Sequence, residues 1–201
     1  KVTKWLPSFK LDNTAAGEQA IIRDLLCHRL GFMTFQGDFT YWTSNLTRSE
    51  VIEKMGHIKA VYPFRTTWGY TNAAFLTAGE IIPKACGQPW EDFLKEKIFL
   101  PLGMTRTLAL SKDLPSATNK CAPYTMADGK LVKIPFCSID NLAPAGSISS
   151  SVNDMSKWVT MLLDNGQYNG KVIVPAAAIA QTRWPHSILG NGGARFNRGH
   201  F

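Results

Sequence analysis

Pro63-Phe64-Arg65-Thr66-Thr67-Trp68-Gly69-Tyr70-Thr71-Asn72 stands immediately before a long apolar pattern, and its reading decides what the rest of the sequence means. In an extended or turn segment, residues i and i+2 point to the same side, so the Tyr70 phenol and the Asn72 amide are expected to face one cleft. A nearby positive charge favours a phenolate, which can act as general base on a nucleophilic hydroxyl. An amide beside it can hydrogen-bond substrate. Taken alone, Tyr-x-Asn is a weak signal. The bland reading is a helix-start Tyr with an Asn that satisfies backbone groups, so the flanking sequence has to decide between the two.

Downstream, Asn72 to Cys86 reads as a helix, with Phe75, Leu76, Ile81 and Ile82 apolar and small Ala and Gly positions for close packing; Gly87 is its left-handed stop. Pro89 at a first helical position, with Glu91 and Asp92 in the first turn, opens a helix carrying Phe93, Leu94, Ile98 and Phe99, which Pro101 is expected to end. Asp128-Gly129 and Asn169-Gly170 predict two hairpins. Ser151-Val152-Asn153-Asp154 has the form of a capping box. It leads a helix with Met155, Trp158, Val159, Leu162 and Leu163 on one side.

Upstream, Ile21, Ile22, Leu25, Leu26 and Leu30 share a helical face that Gly31 closes. Gly31 to Asn45 is aromatic and turn-rich without periodicity, which predicts a packed loop. Thr47-Arg48-Ser49-Glu50 is a second capping box, starting a short helix through Ile58. Asn45-Leu46-Thr47 also matches a glycosylation sequon, but the helix cap is the better account of Thr47. Ala176 to Phe201 begins helical and ends Gly-rich. No internal repeat or low-complexity linker divides the chain, so residues 1–201 are read as one partial domain.

Bulk properties exclude several classes. Hydrophobic residues make up 45% and charged residues 18%, the balance of a globular protein rather than a disordered one. The net charge of +7 comes from scattered Lys and Arg, never a basic run, so nucleic acid is not an expected partner; Arg183, Trp184 and His186 read as an ordinary surface turn. No apolar run approaches the roughly 18 residues of a spanning helix. Cys27, Cys86, Cys121 and Cys137 are widely spaced without His partners, which argues against zinc, and no cofactor is implied; disulfides stay open.

Five segments, in order, change the weight of Tyr70 and Asn72. They are Lys4-Trp5-Leu6-Pro7 with Phe9; Ile22 to Gly31; Tyr70-Thr71-Asn72; Ile98-Phe99-Leu100-Pro101-Leu102-Gly103-Met104; and Pro144-Ala145-Gly146-Ser147 followed by Asn153-Asp154-Met155-Ser156-Lys157-Trp158. Together they resemble the penicillin-binding-protein-like and class C β-lactamase-related serine hydrolases, from Lys1 to about Gly170. The resemblance implies an α+β fold of the β-lactamase type, seen here mainly as its helical region with short β-hairpins and truncated termini. It implies a Ser-x-x-Lys nucleophile, with the Lys and the Tyr of Tyr-x-Asn moving protons, an acyl-enzyme, and a later Lys-Thr-Gly or His-x-Gly strand. Tyr70 is then the catalytic candidate and Asn72 the substrate-binding one.

The nucleophile does not appear. No Ser has Lys three positions later; Ser111-Lys112 and Ser156-Lys157 have the wrong spacing to share a helical face. Gly199-His200-Phe201 begins like His-x-Gly without a strand before it. Both ends therefore look cut, and this span alone is expected to be inactive. The parent is read as an ester or amide hydrolase, of the β-lactamase, D-Ala peptidase or esterase type, on a small-molecule ester, lactam or peptide. By family inference it is periplasmic or extracellular in bacteria, and its oligomeric state is open. The alternative is a non-catalytic binding or scaffold protein of the same fold. His28 is assigned to capping the last turn before Gly31 rather than to a Ser-His-Asp triad. Glu80, Asp92 and Asp154 are read as solvated or capping carboxylates.

Overall fold

The computed structural model describes residues 1–188. Its helices are α1 (Thr14–Gln19), α2 (Ile22–Leu26), α3 (Arg48–Met55), α4 (Asn72–Cys86), α5 (Trp90–Leu94), α6 (Leu100–Leu102), α7 (Ala143–Gly146), α8 (Val152–Leu163) and α9 (Ala176–Arg183). Two hairpins join them: β1 (Tyr124–Ala127) with β2 (Lys130–Lys133), and β3 (Gln167–Tyr168) with β4 (Lys171–Val172). This is the expected α+β composition, helix-rich with short antiparallel pairs.

Helix α4 is the hub, and its sequence explains why. Ala73, Ala74, Leu76, Thr77, Gly79 and Ile81 are buried, so small side chains let neighbours approach while Leu76 and Ile81 fill the core. A side chain at Gly79 would collide with the Pro144 ring of α7. The main core gathers Val2, Leu25, Phe32, Tyr41, Val51, Met55 and Leu76 around this helix. A second cluster, Phe99, Leu102, Met104, Met161 and Ile179, joins α6, α8 and α9. Helix α4 spans its predicted residues and ends where Gly87, at φ 73°, donates to the Pro83 carbonyl.

Both turn predictions hold, with Asp128-Gly129 and Asn169-Gly170 at positive φ throughout, the signature of the two-residue turn that matches strand twist. The Thr47 box also forms, Thr47 N–H donating to Glu50 at 2.7 Å and Glu50 N–H to the Thr47 hydroxyl at 3.3 Å. Its helix stops at Met55, short of Ile58.

Several expectations need correction. Helix α2 ends at Leu26, not Leu30, because the chain turns left-handed at His28, φ 55°. Pro101 does not end its helix. A π-helical turn at Lys95–Phe99, in which Leu100 N–H reaches back to the Lys95 carbonyl, carries the chain through it to Gly103 at φ 65°. The Gly31 to Asn45 loop is only partly packed: Phe32 and Tyr41 are buried while Phe35, Phe39 and Trp42 are exposed. Helix α8 turns Met161 inward, and Val152, Met155, Val159 and Leu163 form an exposed stripe at helical spacing. The expected Ser151 box is half made. Ser151 accepts the Asp154 N–H, but the Asp154 side chain is buried, accepting from Arg106 N–H at 2.8 Å and the Thr107 hydroxyl at 2.9 Å. Burial alone would raise its pKa; those donors and Lys157 outweigh burial and hold it below the usual carboxylate range.

Glu80 is not a solvated carboxylate either. Arg48 of α3 pairs with Glu80 of α4 at 3.1 Å and Glu91 of α5 at 3.0 Å, and donates to the Asp140 carbonyl at 3.0 Å. One guanidinium thus fastens three helices to the segment before α7. Asp92 is exposed, as expected. The Gly-rich tail and Gly199-His200-Phe201 lie outside the described residues.

Arg48→Met leaves two half-buried carboxylates facing each other without a cation. The cost lies between an exposed and a fully buried pair, about 2 kcal/mol. A urea titration reads it as a lower midpoint, and adding Glu80→Gln with Glu91→Gln recovers part of the loss. An unchanged midpoint in Arg48→Met sinks the clamp.

Candidate active site

The Tyr70 segment is fixed from two sides before α4 begins. Arg65, in a left-handed turn at φ 64°, forks onto Asp24 of α2 at 2.9 and 2.7 Å, and Asp24 also accepts the Ile21 N–H at 3.0 Å. The fork is bidentate, so it sets orientation as well as position. Beyond it, the main chain of residues 69–71 is held by groups of the 28–35 loop. Gly69 N–H donates to the His28 carbonyl at 3.0 Å, Tyr70 N–H to the Thr34 hydroxyl at 3.2 Å, and Phe35 N–H to the Tyr70 carbonyl at 2.8 Å. Gly69 permits the approach, since a Cβ there would strike the Phe32 carbonyl oxygen.

His28 supplies the third anchor and overturns its assignment as a helix cap. Its ring turns inward, and Nδ1 accepts the Thr71 N–H at 3.0 Å. The ring is buried, lying 4.6 Å from the Tyr70 ring, 4.9 Å from Phe75 and edge-on to Trp68 at 5.8 Å. An accepting Nδ1 requires the neutral tautomer with its proton on Nε2. Burial pushes the His28 pKa down to about 4.

Around this anchor the two candidates occupy different settings. The half-buried Tyr70 ring packs on His28 and meets the Phe35 edge at 5.5 Å. Among the described residues its hydroxyl makes no hydrogen bond, and no ammonium is bonded to it. Asn72, the first residue of α4, directs its amide nitrogen to Asp38 Oδ2 at 3.0 Å and Tyr41 Oη at 2.9 Å. Burial, then the Asp38 carboxylate, raise the Tyr41 pKa well above the usual phenol value, and Tyr70 is close enough to add to that rise. Asp38, Tyr41, Thr34 and His28 were not read as site residues in the sequence, because each meets the Tyr70 segment only in the folded chain.

In neither mis-spaced Ser-Lys pair does the hydroxyl bond to its neighbouring Lys. The Ser111 hydroxyl donates to Asp140 at 2.6 Å, and Ser156 to the Asn153 carbonyl at 2.8 Å. Lys157 is held by the Gly103 carbonyl and Asp154. No described helix is long and apolar enough to cross a membrane. Behind Phe75 a cavity of about 510 Å³ opens between Arg23, Leu26 and Cys27 on one side and Gln181, Thr182 and His186 on the other.

A buried neutral His gives a signed pH dependence. The unfolded chain takes up a proton near pH 6.5 and the folded one only near pH 4, so this stability is complete above pH 6.5 and is lost as pH falls toward 4. The loss is about 3 kcal/mol at most. Urea unfolding of wild type and His28→Asn at pH 7, 5.5 and 4 checks it: the gap between them should narrow by that order. A constant gap would falsify the neutral-imidazole anchor.

The profile of the Beta-lactamase family matches residues 1–197. The unguisins hydrolase UngD of Aspergillus violaceofuscus is 27% identical over 164 residues, 78% of this chain and 29% of that protein. Penicillin-binding protein 4* of Bacillus subtilis is 29% identical over 119 residues, covering 57% and 25% of the two chains. Among solved structures, a D-stereospecific amidohydrolase from a Streptomyces species superposes with a TM-score of 0.76 at 18% identity, over 94% of this chain and 58% of that one. The chain therefore spans less than two thirds of the length of each of these relatives. With a match over nearly its whole length, this chain belongs to the beta-lactamase family, a family of serine hydrolases that includes penicillin-binding proteins.

Proposed function

We propose that this chain is an internal part, one partial domain, of a serine hydrolase that cleaves an ester or amide through an acyl-enzyme. Tyr70 serves as general base or proton relay and Asn72 contacts the substrate. The observation that carries the reading is the Tyr70 hydroxyl. It is held by a tightly bonded backbone beside Asn72, yet makes no hydrogen bond of its own among the described residues. The Tyr70 oxygen is open to solvent, and a proton carrier has to keep its oxygen open for the reacting group.

The nucleophile and its Lys would come from the rest of the protein, since no Ser-x-x-Lys occurs in these 201 residues. The partial coverage of UngD and the Streptomyces amidohydrolase supports that division. Amide cleavage in the printed names of relatives favours a small amide, ester, lactam or peptide substrate, and the family favours a periplasmic or extracellular setting. The chemistry needs no metal or cofactor: an activated hydroxyl, a proton carrier and a polarised carbonyl suffice.

A fluorophosphonate or penicillin probe followed by intact-mass spectrometry tests the reading. The 201-residue chain should stay unlabelled and the complete protein should gain one adduct. Labelling of the short chain would mean a Ser here is activated without Ser-x-x-Lys, and an unlabelled complete protein would favour a scaffold of the same fold. In the labelled protein, Tyr70→Phe should lower turnover by about 10²-fold or more while leaving the unfolding midpoint nearly unchanged. Normal turnover in that variant removes Tyr70 from the mechanism.

A further inference from the structure

The peptide unit between Tyr70 and Thr71 is planar and is gripped at both ends. Its carbonyl accepts from the Phe35 N–H at 2.8 Å, and its N–H donates to His28 Nδ1 at 3.0 Å. On the other side of the Tyr70 Cα, the Tyr70 N–H donates to the Thr34 hydroxyl at 3.2 Å. Two bonded peptide planes thus set the direction in which the Tyr70 side chain leaves the main chain, and the His28 ring lies 4.6 Å from the phenol ring so directed. His28 does this from a left-handed backbone, φ 55°, that glycine would adopt without strain. The strain is borne where it turns an imidazole inward. These contacts lie within the described residues and His28 is already only 4% exposed, so they do not depend on the segments that complete the site.

We propose that His28 is a positioning residue for proton transfer by Tyr70: neutral, it holds the Tyr70–Thr71 peptide and aims the phenol; protonated, it releases that peptide, and activity is lost in acid. This rests on the hydrolase reading above and deepens it by a mode of regulation. A protonated Nδ1 is a donor and cannot accept the Thr71 N–H. Of the rings packed on His28, those of Tyr70, Phe75 and Trp68, only Tyr70 titrates. Its charged neighbours along the chain are bonded elsewhere, Asp24 to Arg65, and Arg29 to the Arg65 and His186 carbonyls. Burial pushes the Cys27 thiol up, and Arg23 and His186 stand across the cavity behind Phe75. Burial of the imidazole is therefore what governs its titration.

The test uses the complete protein with p-nitrophenyl acetate. Asn carries its carbonyl oxygen on Cγ, where His carries Nδ1, and it tolerates a left-handed backbone; Gln places its amide one bond farther out. At pH 7, His28→Gln should lower kcat by about tenfold, the effect of one lost hydrogen bond, with KM within about twofold, and His28→Asn should restore most of it. In a Tyr70→Phe background the His28→Gln loss should shrink below about twofold, because the group it aims is gone. A role in folding alone would cost the same in both backgrounds; that result, or full kcat in His28→Gln, overturns the inference. The ratio of wild-type to His28→Asn kcat/KM should be flat above pH 6 and fall to about half at pH 4. A ratio that stays flat down to pH 4 overturns the inference even where His28→Gln does not fold. Each of these failures leaves the hydrolase reading standing, whereas absence of turnover by wild type removes both.

Discussion

The hydrogen bond from the Thr71 amide to His28 Nδ1 is where fold and site meet. Thr71 is the N-cap residue of α4, and α4 is the helix on which α2, α3, α5 and α7 pack. The imidazole can accept only while neutral, and its burial against Phe75, Tyr70 and Trp68 keeps it so. One ring thus sets the direction in which the central helix leaves the Tyr70 segment. The same ring forms the floor under the Tyr70 phenol. A protonated His28 would lose the bond and bring a charge into an apolar cluster at once, so helix start and site geometry would fail together.

Precision at this place comes from hydrogen bonds made by the segment's own main chain, to two backbone groups and two side-chain atoms of the facing loop. Gly69 lies against the Phe32 carbonyl, and residues 69–71 exchange hydrogen bonds with residues 28, 34 and 35. A site segment bonded through its own main chain cannot drift without breaking several bonds together. Farther out, the Arg65 fork onto Asp24 and the Arg48 clamp on Glu80 and Glu91 fix the elements that carry those contacts. The candidate side chains are in this way supported by charge pairs that are partly buried.

What could be read from sequence was what short-range geometry decides. The Thr47 box, both hairpin turns, the limits of α4 and the Gly87 stop each depend on residues within about one turn of one another. The ordered segments around Tyr70-Thr71-Asn72 carried the family. Local pattern could not supply the partner of His28, 43 residues away, or those of Asn72, 34 and 31 residues away. Arg48 and Glu80 were equally silent as a pair at a separation of 32. Helix α8 shows the other failure. Its periodicity marked an apolar stripe correctly, yet periodicity cannot say which of two apolar faces turns inward, and Met161 went in while Val159 and Leu163 stayed out.

Two phenols stand near Asn72, and the structure separates their chemistry. Tyr41 is buried, accepts from Asn72 and sits by Asp38, and its pKa is driven upward by burial and by that carboxylate. A phenol shifted upward in this way is protonated at neutral pH, which suits a shape-holding role. Tyr70 has the opposite surroundings, a half-exposed ring with an oxygen committed to nothing among the described residues. Activating it as a base needs a cation nearby, because a positive charge is what favours a phenolate. The described residues on this side contribute a carboxylate instead. In the proposed mechanism the ammonium that completes the site then comes from outside the described residues, from the Ser-x-x-Lys segment or from the later Lys-Thr-Gly strand.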